Sequence, residues 1–374
     1  MRPHYNPGML TVPRFPSLLG LPLWSVITPV LSAALLFSGD LAPSGWPWLL
    51  AVSIGLIAAV LVAVFHAEVI AHRIGEPFGT LVLALAVTVI EVSLIVSMML
   101  SGGGAPSELA RDTVFATVMI ICNGVVGLCL LAGAIRHRII IFRVEGTGSA
   151  LSVLTALTTL TLILPKFTTT TSEPTYAPSQ LAFAGLMSLI LYGVFVFVQT
   201  VRHREFFLPV DTDSDDEHPA MPGTAGAWLS LAMLGVALIA VVGLAKQLSP
   251  VIQHAVDAAS APAAVVGIAI ALLVLLPETW AALRAALRNR MQTSLNLALG
   301  SALATIGLTI PSVAVVSIYL KLPLVLGLPS KEIVLLFLTL LASAITLAGG
   351  RATVLQGTVH LVIFAAFLFL AVVP

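Results

Sequence analysis

Two glutamates stand alone in long apolar runs. Glu91 is the only charged residue between Phe78 and Leu100, and Glu278 closes the apolar stretch that begins near Gly267. An ionised side chain at the centre of a bilayer costs roughly 3 kcal/mol on insertion scales. Each carboxyl must therefore be protonated, be paired or hold a cation, with a structural carboxyl hydrogen-bonded to a neighbouring helix as the plainer alternative. Two carboxylates together neutralise one divalent cation or two protons. A site emptied of both kinds of ligand leaves two like charges in a dry cavity, which disfavours the empty state. That exclusion is the physical basis of exchange.

Other polar residues fall around these two. Thr88 lies one turn before Glu91, on the face that also carries Ala84 and Ile95. Its hydroxyl can serve as a ligand or bond back to its own helix carbonyl. Asn123 belongs to a stripe with Thr113, Ala116, Ile120 and Gly127; Thr293, Asn296, Gly300 and Gly307 form a second, with Ser301 beside it. Helix packing alone accounts for the glycines, whereas the amides of Asn123 and Asn296 need partners in hydrocarbon. Pro277 and Pro311 interrupt helical hydrogen bonding and free carbonyls that can face a cation. Calcium takes six to eight oxygens at roughly 2.3–2.6 Å. Two glutamates, a hydroxyl, an asparagine carbonyl and freed backbone carbonyls supply that number.

A second cluster holds His66, Glu68, His72, Arg73 and Glu76. Glu68 follows His66 by two residues and His72 follows it by six, off the HExxH spacing. It reads as an interfacial charge cluster or, because histidine titrates near neutrality, as a proton relay or gate built from His66, Glu68, His72 and Glu76. No GxSxG, phosphate-binding glycine loop or intramembrane aspartate pair is found, so no enzyme activity is expected.

The elements that position these residues follow from composition. The 374 residues are 59 % hydrophobic and only 9 % charged, with zero net charge, and mean hydropathy is +1.08. This is the composition of an all-α polytopic membrane protein, and it excludes nucleic acid as an expected partner. Apolar runs at about 22–38, 47–71, 77–100, 112–135, 147–165, 180–201, 226–246, 261–283, 292–319, 331–348 and 352–373 predict about 11 transmembrane helices, the first and fifth the shortest. Cys122 and Cys129 share one of them, and neither a disulfide nor a metal knot is expected. The 17 basic residues sort twelve against five between the two sides, with Arg111, Lys166, Lys246, Lys321 and Lys331 the minority. The bias puts the N-terminus in the cytoplasm and the C-terminus outside.

The chain divides into a leading segment and first helix (1–40), five helices (45–208), an acidic cytoplasmic linker (209–222) and five more helices (223–374). The linker's Asp211–Glu217 begins like a calcium loop, but Asp216 stands where a turning glycine belongs and Pro222 where a bidentate glutamate belongs. A solvated linker or a weak cation-attracting segment remains. An odd number of helices per half threads the second half in the opposite sense, so the plan is one leading helix plus two inverted five-helix repeats. Gly79–Leu94 then corresponds to Gly267–Leu283, and Asn123–Leu131 to Ala304–Pro311.

The segments HRIGEPFGTLVLALAVTVIEVSLI, NGVVGLCLLAG and PETWAALRAALRNRMQTSLNLALGSALATIGLTIP resemble bacterial calcium/proton antiporters of the cation/proton exchanger family, within the calcium:cation antiporter superfamily, and most of all its ChaA-type sodium(potassium)/calcium–proton antiporters. The resemblance covers nearly the whole chain. It implies that the glutamate of each repeat core falls on Glu91 and Glu278, the Gly-Ser of the following helix on Gly300–Ser301, and an asparagine on Asn123. The glycine and asparagine that precede each family glutamate are absent here, where the chain has AVTVIE and VLLPE. Fewer oxygens near the carboxylates leave room for sodium or potassium beside calcium. The candidate cation ligands are thus Glu91, Glu278, Thr88, Asn123, Ser301, Gly300 and Asn296.

The resulting expectation is a secondary cation/proton antiporter of a bacterial-type inner membrane, exporting calcium, sodium or potassium in exchange for protons, with no resident cofactor. Its partners are metal cations, protons and the lipid bilayer, with a homo-oligomer left open. The alternatives are a monovalent-cation/proton exchanger with little calcium activity and, from a different class, a passive channel or a structural membrane subunit.

Overall fold

The computed structural model describes residues 17–37, 45–75, 78–101, 107–171, 174–208, 223–258 and 264–373. Glu76 and the acidic segment 209–222 lie outside them. Eleven helices run through the described residues in the order α1 (Leu23–Phe37), α2 (Trp46–Ile74), α3 (Phe78–Ser101), α4 (Leu109–His137), α5 (Val144–Lys166), α6 (Pro178–Arg202), α7 (Thr224–Ala258), α8 (Ala264–Leu287), α9 (Met291–Leu320), α10 (Ser330–Ala348) and α11 (Val354–Val372). A bilayer offers the backbone no hydrogen-bond partners, so uninterrupted apolar runs become helices that satisfy themselves.

Ten of the eleven are long and apolar enough to cross a membrane. The exception is α1. Its 15 residues extend about 22 Å, short of the roughly 30 Å hydrocarbon core. The expected first span is thus an apolar helix that lies against α2 and α7. The fifth helix, expected among the shortest, spans with 23 residues. α7 runs on through Pro250 to Ala258, well past the expected end at 246.

Among the described residues, loops at each end pair with loops of the same end. At the arginine-rich end Ile140–Ile141 pairs antiparallel with Arg351–Ala352, tying the α4–α5 connection to the α10–α11 connection. At the opposite end Ser107 and Thr175 bridge to Leu324 and Val325.

The apolar interior falls into two bodies. One joins α2 and α7, and Arg73 of α2 also donates to Thr224 of α7 at 2.9 Å. The larger body gathers α4, α5, α6, α9, α10 and α11. Among the described helices, α3 and α8 alone place buried residues in both. Ile90 and Val274 belong to the smaller body, and Ile95 and Leu275 to the larger. These are the two acid-bearing helices.

Four helices are interrupted by π-helical turns: Ile120–Val125 in α4, Thr159–Ile163 in α5, Val198–Arg202 in α6 and Thr305–Thr309 in α9. Such turns insert an extra residue and recur at functional sites. Those of α4 and α9 fall on the helices that follow the two acid-bearing helices.

Candidate functional site

Glu91 sits on the middle of α3, where its neighbours Ile90 and Ile95 are fully buried and it is itself 2 % exposed. Its carboxylate is met by the π-turn of α9. Thr309 Oγ1 donates to Glu91 Oε2 at 2.8 Å, and Thr305, four residues earlier, presents its hydroxyl to the same carboxylate. Thr305 and Thr309 are both buried. A regular α-helix would already hold hydroxyls four apart on one side. The π-turn between them carries Gly307, which is packed beneath Tyr192 of α6; a Cβ at Gly307 would lie 2.5 Å from the Tyr192 Cβ.

Glu278 faces a different environment. It lines a cavity of about 330 Å³ whose wall includes Ala84 and Val87 of α3, Tyr192 of α6, and Thr293, Asn296, Gly300, Ser301 and Ala304 of α9. Arg204, Phe207 and Leu208, just past the end of α6, also line it, so the cavity reaches the arginine-rich end. Glu278 Oε2 is buried without a hydrogen-bond partner. A buried carboxylate oxygen without a donor is costly to keep, so Glu278 carries unmet bonding capacity in this cavity. Glu91 and Glu68 are both within electrostatic range of Glu278. The cavity ends at Val87 and Ala304, each next to the Glu91–Thr305–Thr309 group along its own helix. It reaches one acid and stops short of the other.

The structure thus brings Glu278, Asn296, Gly300 and Ser301 together in one cavity. No atom lies within 4 Å of where a Cβ would stand on Gly300, so its missing side chain leaves the cavity open. Asn296 lines the wall with its amide already used: Nδ2 donates to Phe207 O at 2.6 Å and Oδ1 accepts from Gln292 at 2.9 Å. Thr88 donates to Ala84 O of its own helix at 2.8 Å, the back-bonded alternative.

Asn123, expected among the cation ligands, does not line the Glu278 cavity. It is fully buried in the π-turn of α4, and its Nδ2 donates to Thr339 of α10 at 2.9 Å. Its Oδ1 lies 3.3 Å from Nδ1 of His360 on α11, whose Nε2 meets Thr346 at 3.1 Å. The reason is close helix approach. Gly127 packs against His360, with a Cβ there 2.9 Å from the His360 Cβ, so this face of α4 is taken by α11 rather than by the cavity.

The relay cluster is also dispersed. His66 is buried and its Nε2 meets Ser25 O at 2.8 Å, on the side of α1. Glu68, two residues on, points the other way, into an open hollow with Arg284, Arg288 and Arg290. His72 is exposed at the end of α2, and Glu76 lies outside the described residues. Of the described members of this group, Glu68 alone is within electrostatic range of Glu278.

At the opposite end, Arg111 is buried in ion pairs with Glu108 at 2.9 Å and Asp112 at 2.8 Å, and Lys331 donates to Leu370 O at 2.8 Å. None of these residues lines the Glu278 cavity.

Sequence reasoning missed Thr305, Thr309 and Tyr192. The available signal was the four-residue recurrence of Ser301, Thr305 and Thr309 ahead of Pro311.

Comparison with known proteins places this arrangement. Residues 44–201 and 229–373 match the model of the sodium/calcium exchanger protein family. The chain is 49 % identical to y4hA of Sinorhizobium fredii (strain NBRC 101917 / NGR234) over 361 residues, 94 % of this chain and 97 % of that protein. It is 35 % identical to the sodium-potassium/proton antiporter ChaA of Escherichia coli (strain K12), covering 92 % of this chain and 94 % of ChaA. Among solved structures, native YfkE superposes with a TM-score of 0.70 at 16 % identity, over 94 % of this chain and all of that one. The H+/Ca2+ exchanger CAX superposes with a TM-score of 0.66 at 15 % identity, over 92 % of this chain and 88 % of that one.

Proposed function

The chain belongs to the sodium/calcium exchanger protein family and is a cation/proton antiporter, and we propose that Glu91 and Glu278 carry the exchange as a pair, exporting calcium, sodium or potassium as protons enter. One observation carries the assignment: Glu278 Oε2 stands unpartnered at the inner end of a cavity, with a second carboxylate in electrostatic range. A cation and protons compete for that pair, because the doubly ionised empty site is the costly state. Thr305 and Thr309 hold the Glu91 carboxylate, and Gly300 and Ser301 give a ligand room beside Glu278. No resident cofactor is needed, since the metal is cargo.

The protein is integral to the membrane, and its excess of arginine at one end supports a cytoplasmic placement of that end. The Glu278 cavity then faces the cytoplasm, as cation capture for export requires. A bacterial inner membrane, residues 45–208 and 223–374 as inverted halves, and 209–222 as the linker between them complete the reading.

Exchange of monovalent cations with little calcium activity is the second reading. It is favoured by the hydroxyls around Glu91 and by Asn123 turning to α10 and α11, which leave fewer oxygens than calcium's six to eight. The relatives span both choices, since ChaA is named for sodium and potassium and CAX for calcium.

The test is pH-dye dequenching in acid-loaded everted vesicles with calcium, sodium and potassium added in turn. Proton efflux driven by at least one cation is expected. Cation flux without proton movement would make the protein a channel, and no flux of either kind would overturn the assignment.

A further inference from the structure

Beside the Glu278 cavity, sharing Thr293 and Leu297 with it, lies a second hollow. It measures about 420 Å³, opens at the arginine-rich end, and is walled by Glu68 of α2, by Trp280, Arg284 and Arg288 of α8, and by Arg290 and Thr293 beyond. Three guanidiniums against one carboxylate leave it net positive. The Arg284 guanidinium lies 5.4 Å above the Trp280 ring, a stacking that orients its donors.

The outer face of α8 gives the hollow its character. Leu272, Leu276 and Trp280 are 41 %, 50 % and 62 % exposed and follow one another a turn apart, and the next two turns present the exposed Arg284 and Arg288. Four-residue spacing winds these side chains into one continuous ridge. From Leu272 to Arg284 the ridge rises about 18 Å, against about 15 Å of hydrocarbon in one leaflet. When the leucines lie among acyl chains, Trp280 stands at the interface where tryptophan is favoured, and the arginines reach phosphate depth.

We propose that this hollow binds the headgroup of an anionic phospholipid, with the acyl chains laid along Leu272, Leu276 and Trp280. Guanidinium forks match phosphate oxygens in bidentate fashion, and basic pockets between helices on the cytoplasmic side are where anionic headgroups are held. A zwitterionic lipid is disfavoured because its own cation would sit among three arginines. A free phosphate satisfies the arginines but leaves the apolar ridge below them without an occupant.

The test uses the purified full chain in detergent, with lipid retention read by native mass spectrometry and thermal midpoint read on titration. The probes are phosphatidylglycerol, phosphatidylcholine and inorganic phosphate. Phosphatidylglycerol alone is expected to be retained and to raise the midpoint, with affinity falling roughly fivefold for each of Arg284→Gln and Arg288→Gln. If the double variant does not fold, Arg288→Gln alone, at an exposed turn, gives the same reading. Arg136→Gln/Arg138→Gln, at the same end but outside the hollow, should leave affinity unchanged. Equal stabilisation by inorganic phosphate would assign the hollow to a soluble anion and overturn the lipid reading. So would an equal loss in the Arg136/Arg138 variant, or unchanged affinity in the Arg284/Arg288 variants. Because the readout is binding, the result stands apart from any outcome of the transport assay.

Discussion

Thr309 on α9 donates its hydroxyl proton to Glu91 on α3 at 2.8 Å, joining two helices through residues 218 apart in the chain. A hydrogen bond to an ionised group contributes about 1.5–3 kcal/mol. Thr309→Val, which keeps the shape and removes the donor, is expected to weaken apparent cation affinity or exchange rate by roughly tenfold or more. Thr309→Ser should restore it. Both are checked by cation titration of proton flux in vesicles; a valine variant equal to wild type would free Thr309 of any role.

Glu278→Gln should abolish proton-coupled exchange in protein that inserts normally, as judged by membrane yield and thermal midpoint. The amide keeps the volume of the side chain but cannot alternate between a proton and a cation. Undiminished exchange by this variant would remove Glu278 from the site.

Gly300 and Gly307 separate cavity shape from helix packing. A methyl on Gly300 meets no atom within 4 Å, while one on Gly307 lands 2.5 Å from the Tyr192 Cβ. Gly300→Ala is expected to lower exchange with the thermal midpoint unchanged. Gly307→Ala should destabilise by about 1–3 kcal/mol through overpacking, read as a lower midpoint in detergent.

Asn123→Ala tests the placement of that amide. It removes the amide's bonds to Thr339 and His360 in a buried site, at about 1–3 kcal/mol. The expected outcome is a lower thermal midpoint with apparent cation affinity within about threefold of wild type, since 1.4 kcal/mol would be a factor of ten. Lost cation affinity at unchanged stability would return Asn123 to the cation site.

How much of this could be read from residues depends on how a residue announces itself. A charge in an apolar run is conspicuous, so Glu91 and Glu278 stand out in the sequence before any helix is placed. Gly300, Ser301 and Asn296 sit one turn or less apart, and their common cavity follows from helical periodicity. Asn123 obeys the same periodicity on α4, yet Gly127 admits α11 so closely that the face is filled by His360. Helix-to-helix distance of that kind is invisible in a single segment. Thr305 and Thr309 escape notice for another reason: hydroxyls are ordinary in membrane helices, and only the packing of α9 against α3 shows that this pair meets Glu91. The ends of α1 and α7 depended on length and on tolerance of Pro250, which apolar content alone does not report.

The division of the interior into two apolar bodies has a mechanical consequence. A packed core resists deformation but tolerates sliding along its boundary, and here the boundary runs along α3 and α8, through both acids. A shear of the α2–α7 body against the rest would change which face of the membrane the carboxylates look onto without exposing either core to water. The hydroxyls at Glu91 sit on the far side of that shear plane from α2 and α7. A slide of less than one helical turn, about 5.4 Å, is enough to carry the carboxylate away from Thr309. The hydrogen bond at Glu91 and the relative position of the two bodies would then change together as a single coordinate.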